Sequence, residues 1–293
     1  MLNKLKEHIP WQLKVISKIF LSRIPTSYSF WNSISLFRHG DMNSPDYAYA
    51  VFTKHFNRVV SSRNRKLPTS FVAMEIGPGD SLFSSQLAKC YGAKRTYLMD
   101  AGHFVTYDPS DYNSMHKFLK EKGLSLEEFS APSSLNMYLS EMDCIYGTKG
   151  LESWKEVPDK CVDFLWSHAV IEHIEKDDFL SHLKEMKRVM KSDCISSHRI
   201  DLKDHLGGAL NNLRFNSNLW ESSLFKGAGF YTNRLRYSEI INYMEESGFN
   251  VKVINIDRWE NLPTPRKKIS REFDCFSDDD LCVSGFDVLL IPN

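Results

Sequence analysis

Two stretches of the sequence combine residue types that could hold a ligand and move a proton. In EIGPGD, Gly77 and Gly79 follow directly on the apolar run FVAMEI. Glycine tolerates a left-handed backbone and lets the main chain approach a ligand, and a helix that follows offers free N–H groups. SHAVIEHI carries His168 and His173, and histidine is the side chain best suited to exchange protons near neutral pH. Together the two stretches predict a ligand-binding turn and a nearby acid–base site.

These stretches must be positioned by strands, and the sequence predicts seven of them. FVAMEI is apolar at nearly every position, as expected for a strand covered on both faces. Strand and helix patterns alternate along the chain, which predicts an α/β fold with a mostly parallel sheet. No clear helix separates the last two strands, and only parallel neighbours require a crossover helix, so we predict an antiparallel last strand. The predicted strands are 71–76, 95–101, 142–146, 161–169, 194–201, 250–256 and 286–291.

Three helix patterns alternate with these strands. The first runs from about 82 to 91, with Asp80 or Ser81 as its N-cap. The second runs from about 177 to 191, with acidic residues at its start and basic residues at its end, as the helix dipole favours. The third, 238–247, precedes the sixth strand.

Two segments lie outside this alternation. Residues 1–66 are predicted to form an N-terminal helical extension or lid, and residues 202–236 an insertion after strand five on the substrate side. The main domain then spans residues 67–293.

The composition narrows the class of protein. The chain has 293 residues, 42% hydrophobic and 25% charged, which suits a globular protein with a sizeable core. Lys+Arg and Asp+Glu are equal at 37, so no net field recruits nucleic acid or an acidic membrane. The six cysteines are scattered without a CxxC pair, which predicts neither a disulfide framework nor a metal site and favours the cytoplasm. The basic, amphipathic N-terminal segment could lie on a membrane surface, but we favour a packed accessory helix and expect no membrane insertion.

The turn after the first strand lacks the residues that bind phosphates. A dinucleotide site needs G-x-G-x-x-G, and the third glycine position is occupied by Leu82. A P-loop needs a second distant glycine and a lysine, and both are missing. An oxidoreductase or a nucleotide-triphosphate enzyme is therefore disfavoured.

Three segments carry a resemblance to a known family. EIGPGDS, YLMDA and VDFLWSHAVIEHI, in that order and each at a strand end, resemble the class I S-adenosylmethionine-dependent methyltransferases over about residues 70–291. The resemblance implies a Rossmann-like methyltransferase fold with an antiparallel last strand, and S-adenosylmethionine as cofactor. LFRHGDMNSPDYAYAVFTKHF and HRIDLKDH are also similar to bacterial methyltransferases encoded with surface-polysaccharide genes.

The resemblance implies a role for each residue of the glycine turn. Glu75, Gly77 and Gly79 would hold the methionine moiety of the cofactor, and Asp80 would lie close to that site.

It also implies roles at the ends of strands two and four. Asp100 would accept hydrogen bonds from both ribose hydroxyls, a task that suits the two oxygens of a carboxylate. Ala101 would approach the adenosine, and Ser167 and His168 would flank the methionine end. Simpler alternatives are that Asp100 caps a helix or forms a salt bridge and that His168 caps the helix after strand four.

Transfer of a methyl group to an alcohol requires a base, and the histidines after strand four are the candidates. His173 lies in the first turn after that strand, where sugar O-methyltransferases of similar sequence carry a histidine base. Asp201, at the end of strand five, could orient that imidazole. His205 in the insertion is the second candidate for the base. The alternative is that EHI merely packs the start of the helix.

The insertion suggests the class of acceptor. Its amides, guanidiniums and aromatic rings would suit a small polar or sugar-like molecule, and the alternative is a lid whose aromatic residues pack on the core. We therefore predict O-methylation of a small molecule or glycan, without a metal and without nucleic acid. A non-catalytic binding domain and an N-methyltransferase are the alternatives. The residues concerned are Asn211, Asn212, Arg214, Trp220, Phe230, Tyr231, Asn233 and Arg234.

Overall fold

A computed structural model of the chain describes residues 10–23, 41–63, 67–124, 126 and 129–293. The sequence-based expectations for residues 1–9, 24–40 and 64–66 lie outside this described part. Its strands are β1 Phe71–Ile76, β2 Ala93–Met99, β3 Cys144–Gly147, β4 Val162–His168, β5 Met190–Asp201, β6 Phe249–Arg258 and β7 Val283–Pro292.

The seven strands form one sheet in the order β3-β2-β1-β4-β5-β7-β6. β7 runs antiparallel to both of its neighbours, β5 and β6, and the other pairs are parallel. The predicted α/β fold with an antiparallel last strand is therefore confirmed. The carboxyl ends of β1, β2, β4 and β5 lie along one edge of the sheet, which is where ligands bind in open α/β folds.

Helices cover the two faces of the sheet. Those of the described chain are α1 Trp11–Leu21, α2 Pro45–Ser62, α3 Phe83–Cys90, α4 Pro109–Glu121, α5 Leu135–Glu141, α6 Phe179–Val189, α7 Ser217–Trp220, α8 Ser223–Lys226, α9 Tyr237–Glu246 and α10 Asp278–Leu281. None of the helices described is both long and apolar enough to cross a membrane.

Two helix boundaries differ from the sequence-based expectation. Helix α3 has Leu82 at its N-cap and no side-chain cap, so the prediction of Asp80 or Ser81 was wrong. The Ser81 hydroxyl instead donates to the Met42 carbonyl at 2.5 Å and ties the N-terminal part to the turn. Lys191, predicted to end α6, belongs to β5, where its ammonium pairs with the buried Asp163 at 2.6 Å.

Helix α2, from the predicted N-terminal extension, packs on one face of the sheet and contributes to the core there. Phe52 is fully buried, and its ring meets those of Phe164 and Trp166 edge-on at 5.9 and 5.3 Å. Arg58 reaches across to the buried Asp287 of β7 with two contacts of 2.8 Å. Burial of such a face contributes on the order of 25 cal/mol per Å² of apolar surface, so α2 stabilises the sheet that it covers.

The turn after β1 depends on a missing side chain. Gly77 and Gly79 have φ values of 70° and 73°, in the left-handed region that favours glycine. A Cβ atom on Gly77 would lie 2.5 Å from Cγ2 of Val170, which follows β4. The glycine therefore serves both the backbone conformation and the close approach of the two strand ends.

We expect Gly77→Ala to lower the free energy of unfolding by roughly 2–4 kcal/mol, because it adds left-handed strain to a clash in a packed region. Gly123→Ala is the matched control: Gly123 has φ of 74°, but nothing lies within 4 Å of the position that its added methyl group would take. That variant should lose only about 1–2 kcal/mol. Urea unfolding of both proteins measures the difference, and equal losses would contradict the packing role of Val170.

Candidate active site

The glycine turn and the end of β2 are held together by main-chain hydrogen bonds. The Gly77 N–H donates to the Met99 carbonyl at 2.7 Å. The Gly79 N–H donates to Oδ2 of Asp100 at 3.1 Å, and the Ala101 N–H donates to Oδ1 at 2.7 Å. The predicted residues Gly77, Gly79, Asp100 and Ala101 thus form one cluster.

Asp100 keeps acceptor capacity beyond these contacts. A carboxylate offers about four lone-pair positions, and the N–H groups of Gly79, Ala101 and Gly102 use only part of them. Burial raises the pKa of Asp100 to about 6, although hydrogen bonds from the main chain act in the opposite direction. A carboxylate with unused acceptor positions can receive hydrogen bonds from two adjacent hydroxyl groups.

Glu75 lies deeper than the turn and is occupied by protein donors. Ser84 donates to Oε2, and Nε1 of Trp166 donates to Oε1 at 3.1 Å. Burial raises the pKa of Glu75 to about 7. These contacts join β1, α3 and β4 beneath the turn, and the predicted contact of Glu75 with the methionine moiety stays a prediction. Asp80 is buried in the same turn.

The two predicted residues at the end of β4 face different surroundings. Ser167 is fully buried, and its hydroxyl lies 2.7 Å from Nδ1 of His198 on β5. His168 is half-buried and lies beside α2, where Nδ1 is 3.1 Å from Nε2 of His55. Burial, with help from nearby cations such as Lys54, lowers the pKa of His168 to about 4. Its imidazole is therefore neutral across the physiological range.

Sequence reasoning missed the partners of His168. Nδ1 of His55 lies 2.8 Å from the Ser197 hydroxyl, and the Tyr47 ring meets His168 edge-on at 6.3 Å. A signal was present: His55 shares the buried face of α2 with Val51, Phe52 and other apolar residues. A histidine on an apolar helix face requires a buried hydrogen-bond partner.

A strained turn connects β4 to the candidate base. Ala169 has φ of 54°, an uncommon value for a residue with a side chain. Val170 follows it and packs on Gly77, and the His173 N–H donates to the Val170 carbonyl at 2.8 Å. His173 thus lies three residues after Val170, at the end of the short 3-10 helix that follows it.

The ring of His173 is oriented by a main-chain carbonyl. Its Nδ1 lies 2.9 Å from the carbonyl oxygen of Tyr231, in the insertion. A carbonyl only accepts, so Nδ1 carries the proton and Nε2 is the acceptor of the neutral ring. The sequence predicted Asp201 for this task. The Asp201 carboxylate instead accepts from the Lys203 N–H at 3.0 Å.

Asp201 and His205 nevertheless lie beside the same turn. The Asp201 N–H donates to Oε1 of the buried Glu172 at 3.2 Å, and burial raises the pKa of Glu172 to about 8. The rings of His173 and His205 are 4.7 Å apart and nearly perpendicular, and both residues are exposed. The rings of His173 and His205 are thus adjacent, Asp201 is joined to the same turn through Glu172, and the catalytic roles of all three stay predictions.

The end of the insertion clamps the turn that carries His173. The Asn233 N–H donates to the Glu172 carbonyl at 2.8 Å, and its side-chain amide donates to the carbonyls of Ile171 and Ile174 at 3.0 Å each. Four of the five aromatic residues of the insertion are buried, and Phe215 is half-buried against them. They form a cluster of Trp220, Phe225, Phe230 and Tyr231 with Val15 and Leu206.

A cleft of about 340 Å³ opens beside this clamp. Asn233 and Arg234, two of the residues predicted to contact an acceptor, line it together with Lys176 and Asp177, which follow the turn of His173. The opposite wall carries Glu272 and aromatic side chains from the connection between β6 and β7. Its size is at the lower end of the range for small-molecule sites.

Within the described ranges, no three His, Cys, Asp or Glu side chains are grouped as they would be around a metal ion.

No family model and no curated protein matches the sequence. Among solved structures, a SAM dependent methyltransferase from Archaeoglobus fulgidus is 13% identical over 84% of this chain and 94% of that chain, with a TM-score of 0.44. A chain of the complex between the Haloferax volcanii Trm112 methyltransferase activator and a methyltransferase is 10% identical over 92% of this chain and 99% of that chain, with a TM-score of 0.46. DhpI in complex with SAH is 10% identical over 95% of this chain and 97% of that chain, with a TM-score of 0.44. At these identities the likeness is one of fold alone.

Proposed function

We propose that the protein is an S-adenosylmethionine-dependent methyltransferase that acts on an oxygen atom of a small polar or sugar-like acceptor. The observation that carries the proposal is the hydrogen bond from Gly79, in the left-handed turn after β1, to Asp100 at the end of β2. This arrangement joins a tight main-chain turn without phosphate-binding residues to a carboxylate suited to two hydroxyls.

The residues at this turn would contact different parts of the cofactor. Asp100 would accept from both ribose hydroxyls, and the main chain at Gly77 and Gly79 would face the methionine moiety. When bound, the cofactor would supply a methyl group on a sulfonium. The acceptor oxygen would attack the methyl carbon from the side opposite the sulfur, and S-adenosylhomocysteine would leave as a neutral thioether. The acceptor hydroxyl must also lose a proton, so the protein must supply a general base.

His173 is the best-placed base. The Tyr231 carbonyl fixes its tautomer so that Nε2 can take a proton. His168 also lies at the end of β4, but a pKa of about 4 makes it a weak base at neutral pH. His205, with its ring 4.7 Å from that of His173, is the second candidate.

The cleft beside Asn233 would receive the acceptor. Carboxylates of Glu221, Glu239 and Glu272 would accept from hydroxyls, and Phe276 would offer an apolar face to one side of a sugar ring. Asn233 belongs both to the cleft and to the clamp on the turn of His173, so the cleft lies next to the proposed base. An amine acceptor remains the alternative, because it could be methylated without a histidine base.

We expect isothermal titration calorimetry to show binding of S-adenosylhomocysteine and no binding of NADH. Asp100→Ala should weaken S-adenosylhomocysteine by about 2–4 kcal/mol, since it removes charge-assisted hydrogen bonds worth roughly 1.5–3 kcal/mol each. Asp193→Ala is the matched control, because Asp193 is 63% exposed and lies near the amino end of β5. Unchanged affinity of the Asp100 variant for S-adenosylhomocysteine would show that Asp100 does not bind the ribose. Binding of NADH without binding of S-adenosylhomocysteine would overturn the proposed cofactor.

We also expect the affinity for S-adenosylhomocysteine to fall below pH 6. The pKa of Asp100 in the folded protein is about 6, so acidification protonates the carboxylate and turns one acceptor into a donor. The dissociation constant should rise up to tenfold for each pH unit below this value. Titrations of Asp100→Asn between pH 5 and 7.5 provide the control, because that variant retains Glu75 but not the titrating group. Identical pH profiles would assign the effect to another residue.

His173→Ala should lower the turnover number about 10²- to 10⁴-fold while leaving the affinity for S-adenosylhomocysteine nearly unchanged. The assay is release of S-adenosylhomocysteine with a hydroxylated acceptor identified by screening sugars. His182→Ala is the control: His182 lies on α6, with Nδ1 3.0 Å from the Asp178 carbonyl.

The histidine series also separates the alternatives. Normal turnover in His173→Ala with loss in His205→Ala would move the base to His205. Normal turnover in both would favour an acceptor that needs no base, such as an amine, and would end the O-methyl assignment.

A further inference from the structure

The first described helix, α1, carries apolar side chains on two separate faces. One face packs on the aromatic cluster of the insertion: Val15 is buried, and the Trp11 ring meets Phe215 edge-on at 5.9 Å. The Lys18 ammonium donates to the Gly229 carbonyl at 3.3 Å and helps to fix the orientation of the helix. α1 is therefore attached to the domain along one side.

The other face of α1 is apolar and turned to solvent. Leu13, Ile16 and Phe20 are 55%, 64% and 70% exposed. Their spacing of three and four residues places them on one stripe, about 130° around the helix from the packed face at 100° per residue. The contact of α1 with the insertion therefore does not account for the apolar character of these three positions.

This clustering distinguishes α1 from the rest of the described chain. The other large hydrophobic side chains that are exposed are spread over α2, α5, α6, α7 and β6. Scattered exposed hydrophobic residues are normal, whereas a contiguous stripe indicates an interaction surface.

The charged residues of the N-terminal segment indicate which kind of surface the exposed stripe of α1 binds. The first 23 residues hold five Lys or Arg and one Glu, although the whole chain has 37 of each sign. Lys14, Lys18 and Arg23 belong to the described part of this segment, and Lys18 is the one that faces the insertion. A basic helix with an apolar face binds the surface of anionic bilayers, where lysine and arginine near the surface contribute about 1 kcal/mol each.

We propose that α1 docks the protein on the surface of an anionic phospholipid bilayer through Leu13, Ile16 and Phe20. With 11 residues, α1 is about 16 Å long at 1.5 Å per residue, so it lies in the interface. Its attachment to the insertion links this surface to the segment whose Tyr231 carbonyl orients His173. The balanced charge of the whole chain does not oppose this binding, because the basic excess is local.

The test is cosedimentation of the full chain with vesicles of phosphatidylcholine and phosphatidylglycerol at a ratio of 3:1, and with vesicles of phosphatidylcholine alone. We expect at least tenfold stronger binding to the anionic vesicles, and weaker binding at 500 mM than at 50 mM NaCl, because salt screens the attraction. The double variant Ile16→Ser, Phe20→Ser should bind these vesicles at least tenfold more weakly, since both side chains enter the acyl boundary.

A matched pair removes similar side chains elsewhere. Met137→Ser, Ile254→Ser changes residues that are 57% and 40% exposed on α5 and β6, and it should bind vesicles like the unmodified protein. Unchanged melting temperatures and circular dichroism spectra will show that both double variants are folded. Failure of the unmodified protein to bind anionic vesicles, or equal binding by the α1 variant, would overturn the proposal.

Light scattering tests the competing occupant, a second copy of the chain. If the unmodified protein is a dimer and the α1 variant a monomer, the stripe is a protein interface and the bilayer proposal is wrong. Loss of vesicle binding without a change in mass supports the bilayer. Neither result depends on whether the protein transfers methyl groups.

Discussion

The packing of Val170 on Gly77 is the contact on which the candidate site depends. It brings the end of β4 against the turn after β1, so close that only glycine fits at position 77. The Gly77 N–H bonds to the last residue of β2, so three strand ends meet at this point. Asp100 lies on one side of the junction and His173 on the other. The proposed roles of Asp100 and His173 both depend on this junction, because each residue follows a strand that ends there.

Much of this arrangement could be predicted from the sequence, because it depends on side chains with distinctive types. Apolar runs such as FVAMEI predict strands, and the glycine pair with Asp100 predicts the turn and the carboxylate that it holds. Leu82 at the third glycine position predicts that this turn is not a dinucleotide site. The antiparallel direction of β7 followed from the absence of a crossover helix.

The rest depends on main-chain groups and on contacts between distant segments, which leave no sequence signature. Any residue could supply the carbonyl that orients His173, so nothing in the sequence distinguishes Tyr231 from a neighbour. Ser81 has the right type for an N-cap, but the Met42 carbonyl, 39 residues away, takes its hydroxyl. His55 meets His168 only because α2 packs across β4 and β5. The polar side chains of the insertion suggested ligand contacts, and several of them instead satisfy buried groups of the protein.

The position of β7 has a consequence for the order of events during synthesis. β7 lies between β5 and β6, so β6 has no neighbour in the sheet until β7 is made. Until then the nascent chain exposes the outer edge of β5 and both edges of β6, and such unpaired edges are templates for aggregation. Asp287, the carboxylate that receives Arg58 of α2, also arrives only with β7. Helix α2 thus obtains its buried ionic partner only when Asp287, 229 residues after Arg58, has been synthesised. A ribosome-bound chain that has not yet reached β7 should require chaperone protection.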